Sequence, residues 1–355
     1  MKKTPAALGY SMPAEWESHE ATWIAWPHNR SDWPGKFATV PWVYSEIVRK
    51  LTPGETVRIL VKDAEHEKRA ERVLSRAGAD RSQVEFYRIP TNRCWIRDYG
   101  PFFIKSQGRK PKLAASRFRF NAWARYSDWQ LDDAVPDAIA EKLQIRLFPI
   151  SFQDRNIVLE GGSIDVNGRG TLMATEECLL DRNTQVRNPG LSQKTMERIL
   201  RSSLGVKNVL WLGRGIAGDD THGHVDDVCR FVNPHTVVLC RESDPKDPNY
   251  TPLEENFERM QEMKLEDGAS IDVVALPMPE PLYCNGQRLP ASYANFYIGK
   301  SAVLVPTFND PNDRKALGIM SELIPDRPVA GIHAVDLVWG LGTLHCLTRE
   351  HPACG

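Results

Sequence analysis

The chain carries seven cysteines, at positions 94, 178, 229, 240, 284, 346 and 354, yet no Cys-x-x-Cys pair. Scattered and odd in number, they argue against a zinc site or a disulfide scaffold. A reduced, cytoplasmic setting is the expectation. There is no charge surplus either: 45 Lys and Arg stand against 46 Asp and Glu, a net charge of -1. That balance gives no electrostatic footprint for nucleic acid or an anionic membrane. No apolar run reaches the length of a membrane span, and none of signal-peptide length follows the lysines near the N-terminus. Low-complexity segments and Gly/Ser/Pro linkers are missing as well. Length alone allows two or three domains, but without a linker residues 1–355 read as one.

What is present is an ordinary globular balance, 41% hydrophobic and 26% charged, with ten tryptophans. Several tryptophans cluster near the N-terminus and over residues 95–129, which hints at aromatic walls around a pocket. Hydrophobic periodicity predicts helices over 40–51, 64–76, 132–143, 192–204, 253–264 and 313–323. Strands are predicted over 22–26, 56–61, 84–89, 101–105, 113–120, 145–150, 208–212, 271–276 and 329–332. The strands after the last helices begin roughly 60 residues apart, which suggests a structural repeat of two strands, a helix and a closing strand. Pattern alone leaves a ring of such units and an open α/β sheet as alternatives.

Polar residues gather in four places. Near the C-terminus, Trp339-Gly-Leu-Gly-Thr-Leu-His-Cys346-Leu-Thr348 delivers one cysteine after two glycines. A thiol there is a buried apolar group, or a nucleophile if a base or positive field lies nearby. Gly218-Asp-Asp-Thr-His222-Gly-His224-Val-Asp226-Asp227 is the densest cluster, and its second half alternates like a strand. Alternation would put His224 and Asp226 on one face, where they could address one small ligand. His-x-Asp also raises a metal site, and an acidic turn with satisfied groups is the plainer alternative. In Arg93-Cys-Trp-Ile-Arg97-Asp98-Tyr-Gly100-Pro101, Arg97 and Asp98 form either a surface ion pair or a loop presenting Asp98 to a pocket. Glu160 ends an apolar strand at Gly161-Gly162. It points into a site or marks a solvent end, and the pair of glycines lacks both a P-loop lysine and a dinucleotide spacing.

A cysteine among so many acids is unusual, because negative charge raises a thiol pKa. It makes sense for a cationic substrate with an electrophilic carbon. A guanidinium fits, since carboxylates pair with it bidentately. At this point the chain resembles a known family. Met12-Pro-Ala-Glu-Trp-Glu-Ser-His19, Trp95-Ile-Arg-Asp-Tyr-Gly-Pro101, Leu159-Glu-Gly-Gly-Ser-Ile-Asp165, Gly223-His-Val-Asp226, Ser292-Tyr-Ala-Asn-Phe-Tyr297, Val305-Pro-Thr-Phe-Asn-Asp310 and Leu344-His-Cys346 are similar to the agmatine deiminase and bacterial-type peptidylarginine deiminase family. The resemblance covers nearly the whole chain in order. It implies a five-bladed α/β propeller of ββαβ modules around a central channel, with neither metal nor organic cofactor.

Carried over by resemblance, Cys346 is the nucleophile and His224 the general acid/base. Asp98 and Asp226 grip the guanidinium, and Glu160 orients and charges His224. His345 would fall on the opposite face of a strand from Cys346, so it is not expected to be the base. The implied reaction turns agmatine and water into N-carbamoylputrescine and ammonia, a step towards putrescine. Deimination of peptidyl or free arginine is the alternative; amidino transfer and a silent guanidine-binding protein are further ones. Two departures stand out: Gly340-Leu341-Gly342-Thr343 where relatives often read Gly-Gly-Gly-Asn, and His222 where an acid or Asn is common. Over Phe120-Asn-Ala-Trp123-Ala-Arg125, Trp123 could cover a cationic or aliphatic tail. That leans towards agmatine, although Arg117, Arg119 and Arg125 are close by. The expected partner is a small guanidinium substrate, with no nucleic acid and no membrane. The sequence leaves room for a homo-oligomer.

Overall fold

The computed structural model describes residues 3–354. The amphipathic stretch Val40–Leu51 is helical over its whole length, with Pro41 in the first turn, where its missing N–H costs nothing. Ala64–Arg76 starts where Asp63 accepts from the Glu65 and His66 amides. Pro311–Leu323 opens on a capping box between Asp310 and Asp313. Gln193–Leu204 begins at the Ser192 cap and stops at Gly205, whose left-handed φ of 71° ends the helix while its N–H still bonds the Arg201 carbonyl. The predicted elements form with ends shifted by a few residues; Gln130–Leu143 and Tyr250–Glu262 both begin earlier than their periodicity predicts.

Among the described residues, five sheets of three or four strands share one layout. In each, an antiparallel pair is followed by a helix and then a parallel strand. Phe102–Ser106, Leu113–Arg117 and Arg146–Pro149 make the first, edged by Tyr10–Ser11. Ile164–Val166, Thr171–Thr175 and Asn208–Leu212 make the second. Cys229–Phe231, Thr236–Arg241 and Asp272–Pro277 make the third. Tyr297–Ile298, Val303–Thr307 and Val329–His333 make the fourth. The fifth joins the two ends of the chain. Thr348–Pro352 pairs antiparallel with His19–Ala25, which runs parallel to Thr56–Val61 and then Val84–Arg88.

Strands such as Val237–Cys240 are buried without a break, as expected where a helix covers one face and other sheets the other. Trp23, Trp33, Tyr44, Phe103, Phe231 and Phe296 fill the core. Arg230 and Arg349 are as deeply buried as these aromatics, so the interior also holds charge. No helix among the described residues is long and apolar enough to cross a membrane.

Candidate active site

Each sheet has a polar residue a few positions ahead of its first strand. Asp98 precedes Phe102, Glu160 precedes Ile164, and His224 and Asp226 precede Cys229. Asn295 precedes Tyr297, and Cys346 precedes Thr348. The repeated layout therefore brings these distant residues to comparable places.

Local conformation differs from the sequence expectation at three of them. Residues 224–228 are not a strand: His224 caps the 3-10 turn Val225–Asp227, and the strand begins only at Cys229. The buried acids hydrogen-bond outside any ladder, which favours the turn over extended pairing. His224 and Asp226 still face one another, Nδ1 to Oδ1 at 4.0 Å. Residues 344–347 are likewise a turn, so His345 is not on the far face of a strand from Cys346. Residues 157–160 belong to no regular strand beyond a bridge from Val158 to Arg119. Asp98 lies on the short helix Ile96–Tyr99, and Arg97 and Asp98 are both buried, which removes the surface-pair reading.

Cys346, Asp98, Trp95 and Trp123 line a cavity of about 260 Å³, with Asp32, Arg93, Tyr126 and Asp220 among the other walls. Behind it, His224 lies between acids: Nδ1 is 3.8 Å from Asp98 Oδ1 and Nε2 is 3.6 Å from Glu160 Oε2. Burial disfavours its charge, but Asp98, Cys178 and Glu160 outweigh it and hold His224 well above its ordinary pKa. Glu160 is pushed up by burial and pulled back below the usual range by Arg187, 3.1 Å away, and by His224. Burial pushes Asp98 up, against the pull of His224. One Asp98 oxygen accepts from the Gly162 amide and the other from Trp123 Nε1, both at 2.9 Å.

Gly162 explains the double glycine. A Cβ there would lie 2.6 Å from His224 Nδ1, 2.9 Å from Asp226 Oδ2 and 3.0 Å from Asp98 Oδ1. Only a bare backbone lets three charged groups close around it.

Burial, then Asp226, Asp227 and Asp98, push the Cys346 thiol well above its ordinary pKa. Opposing them, Asn295 Nδ2 donates to Sγ at 3.2 Å. Asp226 Oδ2 is 3.9 Å from the same sulfur, while Asp226 Oδ1 and His224 Nε2 are buried without a hydrogen-bond partner. Buried polar atoms without a partner are uncommon, and here two of them belong to groups next to the thiol.

Trp123 sits in an unusual turn. Ala122, Trp123 and Ala124 have φ of 49°, 58° and 53°, left-handed without a glycine. Such residues cost about 1–2 kcal/mol each. Asn121 Oδ1, which accepts from the Ala124 amide, and Gln185, which donates to the Trp123 carbonyl, hold the turn. The nearby arginines are all engaged: Arg117 with Asp133 and Asp137, Arg119 with Asp133, Arg125 with Asp220, and Arg93 with Asp32 and Asp128.

Glu160, Cys178 and His224 offer ligand atoms within 4.8 Å of one another, a spacing a cation could use. Arg187, buried against Glu160, already places a positive charge there and works against a second one. The departure at His222 is peripheral: its Nε2 pairs with Asp181 at 2.8 Å.

The sequence alone assigns no role to Asn295, Glu15 or Arg187, and does not join His345 to Asp226 and Glu15. The repeat itself was a usable signal for Asn295, which holds in the fourth sheet the place that Asp98, Glu160, Asp226 and Cys346 hold in the others.

A buried thiol, an imidazole and several carboxylates around one cavity define a cysteine-dependent site for a cationic electrophile. The chain matches the Porphyromonas-type peptidyl-arginine deiminase model over residues 11–352. It belongs to that family, hydrolases of the C–N bonds of a guanidino group. It is 34% identical to the agmatine deiminase of Pseudomonas aeruginosa over 99% of this chain and 97% of that one. Among solved structures, the agmatine deiminase of Enterococcus faecalis superposes with a TM-score of 0.89 at 30% identity, covering 99% of this chain and 98% of its own. A C. jejuni agmatine deiminase, a cysteine-to-serine variant with substrate bound, gives 0.85 at 30% identity, over 97% of each chain.

Proposed function

We propose that the chain hydrolyses agmatine to N-carbamoylputrescine and ammonia through a covalent intermediate on Cys346. The observation that carries this is the cavity's charge pattern. Asp98 lines the thiol end, Asp226 Oδ2 stands 3.9 Å from the sulfur behind it, Asp32 and Asp220 stand in the wall, and the nearby arginines Arg93 and Arg125 are already paired. Such a slot suits a guanidinium with a second cation at its far end, and gives nothing free to hold the carboxylate of free arginine.

In the first half-reaction Cys346 Sγ, as thiolate, attacks the guanidinium carbon, while Asp98 and Asp226 hold the guanidinium plane in near-attack geometry. The carbon–nitrogen bond breaks, and protonated His224 supplies the proton that lets ammonia leave. A thiouronium remains. In the second half His224 takes a proton from water, the oxygen adds to the same carbon, and the carbon–sulfur bond breaks to give the urea. Glu160, fixed by Arg187, orients His224 and favours its charged form. Trp123 closes over the substrate chain. No step calls for a metal or an organic cofactor.

The five repeated sheets are best read as a five-bladed α/β propeller in a single domain, the cavity opening on its axis; the layout shared by the five sheets supports this. A cytoplasmic place in putrescine formation accords with seven unpaired cysteines and the agmatine reading. The family's description makes peptidyl arginine the second reading, and a C-terminal arginine would bring a carboxylate that the paired Arg93 and Arg125 are not free to hold.

Ammonia release from agmatine, free arginine and a peptide with C-terminal arginine, measured side by side, tests the substrate. Agmatine should lead by orders of magnitude in kcat/KM. Preference for the peptide would replace this reading with the second, and no turnover of any by folded protein would end both.

A further inference from the structure

His345 stands beside the nucleophile, and the reaction as written gives it nothing to do. Its Nδ1 lies 2.6 Å from Asp226 Oδ2 and its Nε2 lies 2.9 Å from Glu15 Oε2. All three side chains are buried. An imidazole can donate from both nitrogens only when both carry hydrogen, that is, as imidazolium.

Glu15 is fitted to remain ionised. Arg97 Nη2 donates to its Oε2 at 3.0 Å, and Arg230 Nη2 and the Ile298 amide donate to its Oε1 at 2.9 and 2.8 Å. Asp165 and Glu350 balance the two arginines, at 3.3 Å from Arg230 and 2.6 Å from Arg97. Arg349 is a further cation buried behind them. On the cavity side Asp226 faces Cys346, Asp227, Asp98 and His224. Three of these four add negative charge or none, so a buried Asp226 without a cation behind it would take up a proton.

We propose that His345 is a positioning residue: an imidazolium clamped between Glu15 and Asp226 that fixes Asp226 as a carboxylate with Oδ1 turned to the guanidinium. The geometry leaves that division of labour in view. Oδ2 is occupied by His345, and Oδ1 has no partner. Burial alone would raise Asp226, and the His345 hydrogen bond and charge are the next largest influences, carrying it below its ordinary value. His345 touches neither the reacting carbon nor the thiol, and acts through Asp226. The proposal rests on the guanidinium reading of the cavity.

Two measurements test it. In the unmodified protein, nitrogen-detected NMR of the imidazoles at pH 8 should show His345 with both nitrogens protonated. A neutral tautomer there overturns the clamp, whatever the substrate proves to be. The second is the affinity for agmatine, followed by calorimetry from pH 6 to 8 in a Cys346→Ser background, with and without His345→Gln. The Cys346→Ser protein supplies the reference slope, including any titration of Asp98. Adding His345→Gln should weaken binding about a hundredfold at the acid end, and steepen the fall towards acid by up to about tenfold per pH unit. Glu15→Gln should shift the slope in the same direction by less. A uniform loss at every pH, or a lower melting temperature with an unchanged slope, would make the clamp merely structural. Should His345→Gln fail to fold, the NMR result on the unmodified chain decides. Absence of turnover by that chain would end the deiminase reading while leaving the NMR result to stand on its own.

Discussion

Asn295 points its amide nitrogen at Cys346 Sγ from 3.2 Å, while its carbonyl oxygen accepts from Thr343 Oγ1 at 2.8 Å and from the His345 amide at 3.0 Å. The amide is therefore held from behind by the turn that carries Cys346. It opposes the burial and acids that keep the thiol protonated. Replacing Asn295 with Ala should slow deimination about a hundredfold, the scale of losing one donor to a developing anion. The thiol would rise further, so the alkylation rate of Cys346 plotted against pH should move to higher pH. Thr343→Val should shift it the same way by less. An unmoved alkylation profile in Asn295→Ala would remove Asn295 from this role.

Gly162 lies where three charged groups meet. Ala at this position would force its Cβ to within 2.6 Å of His224 Nδ1. The neighbours are buried and hydrogen-bonded, so they cannot swing away cheaply. Gly162→Ala should lose nearly all activity. Gly318 supplies the control: it is exposed in the helix Pro311–Leu323, and a Cβ there meets nothing within 4 Å. Gly318→Ala should keep full activity and add up to about 1 kcal/mol of stability. Normal activity of Gly162→Ala would mean that the groups are spaced more widely than the structure has them.

The contrast between these residues shows what a single sequence can carry. Val40–Leu51 and Thr56–Val61 follow from local periodicity, and both form over the residues expected. His224 and Asp226 come to the site although the strand expected there is a turn, because a turn also brings residues two apart near one another. Glu15 was in a quoted motif without a role. Its partners His345, Arg230 and Ile298 are hundreds of residues away, and no periodicity encodes such a meeting. The left-handed turn at Ala122–Ala124 lacks the glycine that usually announces one. It is imposed by tertiary contacts, including Trp123 on Asp98.

Leu341 shows the same override at the mouth of the cavity. Its φ is 67°, a region where glycine is at ease and a branched side chain is not. This is one of the positions at which the chain departs from a run of glycines. Leu341→Ile conserves volume but moves the branch to Cβ, so its loss of stability should report the backbone alone, about 1–2 kcal/mol. Leu341→Gly should relieve the strain, loosen the wall and raise KM for agmatine more than it lowers kcat. Chemical denaturation and steady-state kinetics on the pair check both. Equal stability of Leu341→Ile and the unmodified chain would show that the left-handed conformation is not held in solution.

Substrate binding should release a proton. In the empty cavity Cys346 is held well above the ordinary thiol range by burial and then by Asp226, Asp227 and Asp98. A bound guanidinium cancels part of that negative field, so the thiol pKa falls on binding. Between the bound and free values the proton leaves as agmatine enters, and affinity rises with pH by up to about tenfold per unit. His224 behaves differently: Asp98, Cys178 and Glu160 together hold it well above its ordinary pKa against burial, and Glu160 stays beside it when substrate pairs with Asp98. Calorimetry at pH 8 in buffers of different ionisation enthalpy should give heats that depend on the buffer, with proton release as the sign. The Cys346→Ser variant should bind without that dependence. Buffer-independent heats for the unmodified chain would mean that the thiol is already ionised in the empty site, and that the acids around it are not the source of its control.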